Sequence, residues 1–335
     1  MGLMVTTRTP LRVSFFGGGT DLPGYYRRGH GAVVSTTINK YVYVTVKPHG
    51  PLFDELFRLN YSKTEQASDI EEIENDIARE AIRFCRIGGP LYLSTVADLP
   101  SGSGLGSSSS FAVGLLHAFN TMNGRQITPG ELAASACRIE IDILGKPIGK
   151  QDQFAAAYGG LNYIRFDANE RVSITPISLS AENTALLFSS FLLLWTGISR
   201  SAADILSDQR DRTPSNVGAL DAMRDFADRS CELLHERDLS ISQFGKLLHE
   251  AWLLKQRLSP RIAENQIVSW YSRGLEAGAY GGKLCGAGGG GFLLFCAPSE
   301  RHAMIRAALP ELKSIEIGYD PLGTRLLFPG YFERA

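Results

Sequence analysis

The chain has 335 residues, of which 44% are hydrophobic, so it is long enough to fold as two closely packed domains. Its 34 Lys and Arg against 35 Asp and Glu leave a formal net charge of -1, which provides no global positive field to hold a nucleic acid. No apolar stretch reaches the roughly 18 to 20 residues of a membrane-spanning helix, and five scattered cysteines without a CxxC pair suit reduced thiols, so we expect a cytoplasmic protein without a membrane partner.

The first half of the chain alternates between strand-like and helical segments. Residues 11–16 and 32–47 are rich in Val, Thr, Tyr and Phe and flank a glycine-rich turn, which is typical of two strands joined by a functional loop. Thr128, Pro129 and Glu131 have the pattern of a capping box with proline at the first helical position, so a helix begins there. The other predicted elements are helices at 69–87 and 111–119, continued helix to residue 144, and strands at 91–96 and 161–166.

The second half contains longer helical stretches. Strands are predicted at 185–195, 292–296, 313–317 and 324–328, and helices at 199–209, 215–236, 240–257, 264–276 and 299–308. Mixed strands with segregated helices indicate α+β architecture rather than a regular parallel βαβ sheet. We predict two domains, residues 1–184 and residues 185–335.

A serine- and glycine-rich segment at residues 100–110 lies between a predicted strand and the apolar helix 111–119. Glycines let a backbone approach an anion closely, the following helix offers its positive N-terminal end, and hydroxyl groups bind phosphate oxygens or a metal. A flexible linker is the plain alternative, but linkers are not usually joined directly to an apolar helix. The chain contains no GxxxxGK[ST] sequence, so P-loop folds are disfavoured. The predicted phosphate-binding residues are Pro100, Ser101, Gly102, Ser103, Gly104, Leu105, Gly106, Ser107, Ser108 and Ser109.

Two further glycine-rich segments lie nearer the ends of the chain. In residues 9–21 an apolar strand leads into a bend whose three glycines leave space for a ligand to touch the backbone, and Arg12 and Asp21 flank this bend with opposite charges. Residues 286–291 form a GxGxxG sequence, but a strand-like segment follows it instead of the helix that a dinucleotide-binding fingerprint requires. A nucleotide-dependent dehydrogenase is therefore disfavoured.

Together these segments resemble the motifs of the GHMP kinases, the family of galactokinase, homoserine kinase, mevalonate kinase and phosphomevalonate kinase. Residues 9–21, 100–110 and 283–292 are similar, in this order, to the N-terminal motif, the ATP loop and the C-terminal glycine-rich motif of the family. The resemblance implies a kinase that uses ATP and Mg²⁺ to phosphorylate a hydroxyl group of a small sugar or sugar phosphate. It also implies an N-terminal domain like ribosomal protein S5 domain 2, a ferredoxin-like C-terminal domain and an active site between them.

The resemblance further implies roles for four side chains. Asp152 matches the catalytic base that accepts the proton of the attacking hydroxyl, although an aspartate at a helix N-terminus has a structural interpretation too. Glu140 and Ser108 match the magnesium ligands, with an ordinary exposed helix residue as the alternative for Glu140 and with Asp142 as a nearby competitor. Arg12 matches a basic position near the transferring phosphoryl group, where its charge would offset charge in the transition state.

The first and third motifs are expected to hold the acceptor. Asp21 matches a sugar-hydroxyl ligand of galactokinase-like members, but Gly18 and Gly19 stand where galactokinases typically have Glu and His, so galactose is disfavoured. The predicted substrate-binding residues are Gly17, Gly18, Gly19, Thr20, Asp21, Gly288 and Gly289.

Within the family, residues 16–21, 36–40, 61–65 and 195–200 resemble segments of the D-glycero-D-manno-heptose 7-phosphate kinases and of the kinase part of L-fucose kinases. The first group implies attack of the anomeric hydroxyl on ATP to give the 1,7-bisphosphate, a step toward nucleotide-activated heptose and surface polysaccharide. A substrate phosphate distant from the reacting hydroxyl would need a cationic pocket. The candidates, none singled out by spacing, are Arg27, Arg28, Lys40, Lys150, Arg200 and Lys283.

Other functions have weaker support. A sensor that has lost turnover would not need Asp152, Glu140, Ser108 and Arg12 together. The six histidines show no i, i+4 pairing, so a zinc site is not expected, and no G-x-S-x-G elbow indicates a serine hydrolase. We expect a monomer or a homodimer.

Overall fold

The computed structural model describes residues 2–50, 52–199 and 202–332. Its strands are β1 (Gly2–Phe16), β2 (His30–Pro48), β3 (Phe57–Asn60), β4 (Thr64–Ala67), β5 (Leu91–Ala97), β6 (Leu161–Asp167), β7 (Val172–Pro176), β8 (Phe191–Trp195), β9 (Gly281–Leu284), β10 (Phe292–Cys296), β11 (Lys313–Ile315) and β12 (Arg325–Phe332). Its α-helices are α1 (Pro23–Tyr26), α2 (Asp76–Cys85), α3 (Ser107–Met122), α4 (Pro129–Cys137), α5 (Gln151–Tyr158), α6 (Ala181–Ser189), α7 (Ala202–Asp211), α8 (Val217–Leu234), α9 (Ile241–Gln256), α10 (Asn265–Glu276) and α11 (His302–Ala308). Within these ranges, no helix has the length and apolar character needed to cross a membrane.

The first sheet is built around the long strand β2. The strand order is β12-β1-β2-β5-β3-β4, and β6 and β7 extend the sheet from another part of β2. Residues 42–48 of β2 pair with β5, whereas residues 30–36 pair with β6, so one edge of β2 carries two neighbours. The strand β12 lies antiparallel to β1, so a C-terminal segment completes the sheet of the first half. The division at residues 184 and 185 stays a prediction.

The second sheet is antiparallel, with the order β11-β8-β10-β9. Side chains alternate along β10, as the pleat of a strand requires. Phe292 and Leu294 enter the large core that includes the first sheet, whereas Leu293 and Phe295 enter a second cluster with Trp252 of α9. The second sheet is therefore buried on both faces.

An aromatic cluster fixes the end of β1 against the second sheet. The ring of Phe15 lies with its centroid 5.1 Å from that of Phe191 in β8 and 5.3 Å from that of Phe244 in α9. All three rings are buried. Phe15 stands two residues before Gly17, so this packing holds the start of the glycine-rich bend against the second sheet.

The predicted α+β class is confirmed, and so are most predicted elements. The capping box at Thr128 and Glu131 forms as expected and starts α4. The predicted strand over residues 185–195 is wrong in its first part, because Ser180 caps α6 by accepting a hydrogen bond from the Asn183 amide and the helix runs to Ser189. A short apolar run fits a buried helix face as well as a strand, which explains the error. The hairpin of β3 and β4 was not predicted.

Candidate active site

The loop between β5 and α3 follows a backbone path that favours glycine at three positions. Gly102, Gly104 and Gly106 have φ angles of 70°, 81° and 78°. A Cβ atom on Gly104 would lie 2.4 Å from the carbonyl oxygen of Cys285, so the loop closes directly against the C-terminal glycine-rich segment. Gly106 is the N-cap of α3, whose first amides have no partner within the helix by geometry. The predicted loop at residues 100–110 therefore presents a helix N-terminus suited to an anion.

The predicted loop residues differ in their accessibility. Ser103, Leu105 and Ser109 are buried, whereas the remaining seven are exposed or half-buried. The carbonyl oxygen of Leu105 accepts a hydrogen bond of 3.0 Å from the amide of Arg12. The loop is thus attached to β1 on one side and open to a ligand on the other.

Glu140 lies in a π-helical segment, Arg138–Ile143, and three side chains donate hydrogen bonds to it. Ser108 Oγ donates to Oε1 over 2.7 Å, while Ser109 Oγ and Gln153 Nε2 donate to Oε2 over 2.8 and 2.7 Å. Burial raises the pKa of Glu140, although these three hydrogen bonds oppose the effect. The structure brings the two predicted magnesium ligands, Ser108 and Glu140, into contact.

This donor set fits a magnesium ion. In the part of the chain that the structure describes, no cluster of three or more His, Cys, Asp or Glu side chains is placed to hold a metal. Mg²⁺ in kinases does not require such a cluster, because nucleotide phosphates and water supply most of its ligands. A buried carboxylate beside an exposed hydroxyl, as in Glu140 and Ser108, would be stabilised in its charged form by a cation.

Arg12 and Asp152 form a bidentate ion pair between β1 and α5. Nε and Nη2 of Arg12 each donate to a carboxylate oxygen of Asp152 over 2.7 Å, and Nη1 donates to the carbonyl oxygen of Gly104 over 2.7 Å. The Arg12 side chain is 6% exposed and that of Asp152 is 23% exposed. The arginine thus fixes the carboxylate relative to the phosphate loop and leaves it partly accessible.

The buried hydroxyl of Thr20 stabilises the bend after β1 through hydrogen bonds to the backbone. Its Oγ1 lies 2.8 Å from the carbonyl oxygens of both Gly17 and Ala32, and the Ala32 amide donates to it over 3.0 Å. A Cβ atom on Gly17 would lie 1.9 Å from the Ala32 oxygen, so this position needs glycine. The Thr20 hydroxyl is fully buried, and its observed partners are backbone atoms of the bend and of β2.

Asp21 connects the bend to the start of α5. Its carboxylate accepts hydrogen bonds from the amides of Gly19, over 3.0 Å, and of Gln151, over 3.3 Å. A Cβ atom on Gly149 would lie 1.9 Å from Oδ2, so the carboxylate fits only beside a glycine. Burial and then repulsion from Asp152 raise the pKa of Asp21, and the two amides oppose this shift. Two of the predicted site carboxylates are thus close neighbours.

Gly288 and Gly289, which are predicted to bind the substrate, contact the loop between α9 and α10. A Cβ atom on Gly288 would approach Ile262 Cα to 2.7 Å, and the amide of Gly289 donates to the Ile262 oxygen over 2.9 Å. Nearby, a Cβ atom on Gly291 would lie 2.5 Å from the oxygen of Ser103. The segment supports the phosphate loop by close backbone contact, and a role of Gly288 and Gly289 in substrate binding stays a prediction.

Two buried lysines lie near Arg12. Sequence reasoning named Lys283 only as a candidate for a distal phosphate and did not name Lys255. Lys255 Nζ in α9 donates to the oxygen of Gly286 over 2.5 Å. Lys283 Nζ donates to the oxygens of Ser14 and Phe15 over 2.6 and 2.9 Å. Burial lowers the pKa of both ammonium groups. Lys283 opens the third motif, but nothing in the amphipathic helix α9 distinguishes Lys255 in the sequence.

The other candidate cations for a distal phosphate occupy different surroundings. Arg27 and Lys150 both donate to the Glu170 carboxylate, and Lys150 Nζ also lies 5.1 Å from the centre of the Tyr26 ring. Arg28 is exposed and Lys40 is half-buried. Arg200 lies outside the described residues.

Comparisons with known proteins extend over nearly the whole chain. Residues 70–160 match the GHMP kinases N terminal domain, and residues 232–312 match the GHMP kinases C terminal family. The chain is 31% identical to the D-glycero-alpha-D-manno-heptose 7-phosphate kinase of Campylobacter jejuni, with 92% of this chain and 94% of that protein covered. It is 26% identical to a galactokinase of Pyrococcus furiosus, with 91% and 92% covered.

A solved structure extends the similarity to three dimensions. The crystal structure of a D-glycero-D-manno-heptose 1-phosphate kinase from Bacteroides thetaiotaomicron has a TM-score of 0.79 and 25% identity, and the match covers 97% of this chain and 99% of that one. The likeness in fold therefore extends over both sheets.

Proposed function

The chain belongs to the GHMP kinase family as an ATP-dependent sugar kinase, and from this premise we propose that its acceptor is the anomeric hydroxyl of D-glycero-D-manno-heptose 7-phosphate. The product would be the 1,7-bisphosphate. The observation that carries the chemistry is the bidentate pair of Arg12 and Asp152, held against the phosphate loop by the third donor of the guanidinium group.

In the proposed reaction, the sugar oxygen forms a bond to the γ-phosphorus of ATP while the bond from that phosphorus to the leaving ADP oxygen breaks. A carboxylate oxygen of Asp152 accepts the hydroxyl proton. Arg12 orients this carboxylate and places positive charge beside the phosphoryl group, where negative charge is redistributed during transfer. Partial exposure of Asp152 supports direct access by the acceptor hydroxyl.

The phosphates of ATP would lie on residues 100–110 and the first turn of α3. Ser108 and Glu140 would hold Mg²⁺, which when bound neutralises phosphate charge. Ser109 and Gln153 fix the Glu140 carboxylate, so it is already oriented toward Ser108. Preorganisation of this kind lowers the cost of binding the nucleotide.

The choice of a heptose phosphate rests on two observations. The Campylobacter jejuni relative is named for that substrate, and this chain has glycines at positions 18 and 19, so it lacks the two side chains expected of a galactokinase there. Lys150 precedes Gln151, whose amide donates to Asp21 in the bend, and Arg27 directly follows α1, so we take these two cations as the candidates for a distal phosphate. Their present partner, Glu170, would have to yield one of them to the substrate.

A coupled assay of ADP release tests this proposal. ATP and Mg²⁺ would be supplied with D-glycero-D-manno-heptose 7-phosphate, the same heptose without phosphate, D-mannose, L-fucose, D-galactose, mevalonate or homoserine. We expect the largest kcat/KM with the heptose 7-phosphate and a phosphorus spectrum showing a new anomeric phosphate. Preference for L-fucose would assign the chain to the fucose kinase-like alternative, and ATP binding without any turnover would favour the sensor.

A further inference from the structure

Three polar side chains surround the position that a Cβ atom on Gly18 would occupy. A Cβ atom on Gly18 would lie 3.8 Å from Ser14 Oγ, 3.9 Å from Gln151 Nε2 and 3.9 Å from Lys255 Nζ, and no other heavy atom beyond its chain neighbours lies nearer. The side chains come from β1, from the first residue of α5 and from the last turn of α9. We call these three side chains the Gly18 site.

The polar atoms of the Gly18 site have unused hydrogen-bonding capacity. Ser14 Oγ and Gln151 Oε1 are buried, and neither has a hydrogen-bond partner among residues 2–50, 52–199 and 202–332. Ser14 is 7% exposed and Lys255 is 5% exposed. An ammonium group has three protons, and one of them reaches the Gly286 oxygen. Buried polar groups nearly always have partners, so this convergence indicates that a ligand supplies them.

The charges around Lys255 favour a neutral oxygen over a phosphate. Asp21 and Asp152 act on Lys255 as nearby negative groups, and Arg12 acts as a nearby positive group. A phosphate in the Gly18 site would therefore lie beside two carboxylates. A sugar hydroxyl can accept from Lys255 and donate to a carboxylate, so it suits both kinds of neighbour.

We propose that the Gly18 site binds a sugar hydroxyl next to the one that is phosphorylated, with Lys255 as the donor to it and with Gln151 and Ser14 as its further hydrogen-bond partners. Because the Gly18 site lies beside Asp152, this oxygen belongs to the reacting end of the sugar and not to a distal phosphate. Lys255 is then a specificity-determining ligand that α9 contributes to an acceptor pocket otherwise formed by the first half of the chain. The inference rests on the proposed sugar acceptor.

The pH dependence of kcat/KM distinguishes a lysine that binds the sugar from one with a purely structural role. Burial and then Arg12 lower the pKa of Lys255 to about 8, while Cys285, Asp21 and Asp152 oppose the shift. The buried Lys283 also faces this ammonium group. Lys255 is protonated below this pKa, so kcat/KM for the sugar should fall as the pH rises above about 8. An arginine at this position stays charged and should remove that fall.

The test compares full-length Lys255→Met, Lys255→Arg and Gly18→Ala, with Gly29→Ala as the matched control. The sugar is the one that the wild type phosphorylates best, and KM is measured for sugar and ATP separately. A Cβ atom on Gly18 meets its neighbours at ordinary contact distances, and one on Gly29 meets nothing within 4 Å, so both variants should fold. Thermal melting checks all four proteins.

Lys255→Met should raise the sugar KM by about tenfold to a hundredfold, because a hydrogen bond to a charged donor is lost, while the ATP KM stays within about twofold. Lys255→Arg should recover part of the loss. Gly18→Ala should raise the sugar KM by about tenfold through displacement of the bound oxygen, and Gly29→Ala should leave it unchanged.

Two results would overturn the inference and point to different errors. An active wild type whose sugar KM is the same in folded Lys255→Met and Gly18→Ala would overturn the Gly18 site alone, as would a rise confined to the ATP KM. A wild type that phosphorylates no sugar would overturn the proposed function, and the inference with it.

Discussion

On the donor side of the active site, the Glu140 carboxylate receives hydrogen bonds from Ser108, Ser109 and Gln153, and the loop before α3 is closed by backbone contacts. On the acceptor side, Ser14 Oγ and Gln151 Oε1 are buried without partners in the described chain. The two sides lie within a few residues of each other along α5. Ser103 Oγ and Gln153 Oε1 on the donor side also have no partner in the described chain, so the contrast is between the Glu140 carboxylate, which has three donors, and the polar atoms around Gly18.

This difference indicates that binding the nucleotide and recognising the sugar place separate demands on the site. A carboxylate held by three donors favours one geometry, which suits a nucleotide whose phosphates and metal are always the same. The proposed acceptor side draws its polar atoms from β1, α5 and α9, so we expect substitutions of Ser14, Gln151 or Lys255 to change the preferred sugar without disturbing Glu140. The glycine at position 18 fits this proposal, because polar side chains of three elements lie near it and would supply the ligands that a glycine lacks.

Replacing Asp152 should have the largest effect, since this residue lies where the two sides meet. Asp152→Asn keeps the size of the side chain but removes the proton acceptor, so kcat should fall about a thousandfold while the Kd for ATP changes little. Single-turnover kinetics and nucleotide titration would measure the two quantities. If kcat stays within about tenfold of the wild-type value, Asp152 is not the base.

Glu140→Ala should impair the binding of Mg²⁺ and ATP and leave sugar binding intact. Loss of the carboxylate should raise the Mg²⁺ concentration for half-maximal activity by at least about tenfold and weaken Mg²⁺-dependent ATP binding, with the sugar KM nearly unchanged. Asp142→Asn is the matched control, because Asp142 is exposed and two residues away. An effect of equal size in Asp142→Asn would transfer the metal role to that residue.

Gly104→Ala should test whether the close approach of the phosphate loop is needed. The residue has a φ of 81° and its Cβ would lie 2.4 Å from the Cys285 oxygen, so both strain and a clash oppose the change. We expect a loss of about 2 kcal/mol in the free energy of unfolding, together with weaker ATP binding. Gly124 has a φ of 68° and nothing within 4 Å of its Cβ, so Gly124→Ala measures the cost of backbone strain without a clash. Equal losses in denaturant titrations would show that the contact contributes nothing.

Much of the donor side could be predicted from the sequence because its signals are local. The order of glycines and serines in residues 100–110 and the capping box at Thr128 each describe one continuous segment, and both are found in the structure. The family resemblance, which the comparisons confirm, singled out Glu140 and Asp152. The structure places them in contact with Ser108 and Arg12, and their roles stay predictions. Where a short apolar run had to be assigned without such a motif, at residues 185–189, the prediction was wrong.

The acceptor side could be predicted only in part because it depends on contacts between distant segments. Lys255 stands 237 residues after Gly18, and one lysine in an amphipathic helix gives no sign of the carboxylates that it faces. The return of β12 to β1 likewise becomes clear only when the strands are paired. Sequence reasoning found the bend and missed α9, whose Lys255 lies near Gly18.

The smallest predicted effect concerns the edge of the acceptor side. Partial burial raises the pKa of Glu170, but hydrogen bonds from Lys150, Tyr26 and Arg27 outweigh it and lower the pKa to about 2. Because the folded-state pKa is depressed, the resulting stability is present above the unfolded value of about 4.3 and is lost as the pH falls through about 2. The Glu170 side chain is 43% exposed, so solvent screening limits the contribution to about 0.5 kcal/mol.

Glu170→Gln should therefore lower the free energy of unfolding slightly at pH 7 and match the wild type near pH 2, as followed by urea titrations at both values. Glu316→Gln, at an exposed position, should show no difference at either pH.

Glu170→Gln also releases Lys150 and Arg27 from the carboxylate that they share. If these cations bind the distal phosphate, the KM for the heptose 7-phosphate should fall while that for the unphosphorylated heptose stays constant. Equal changes for the two sugars would leave Lys150 and Arg27 with a structural role only.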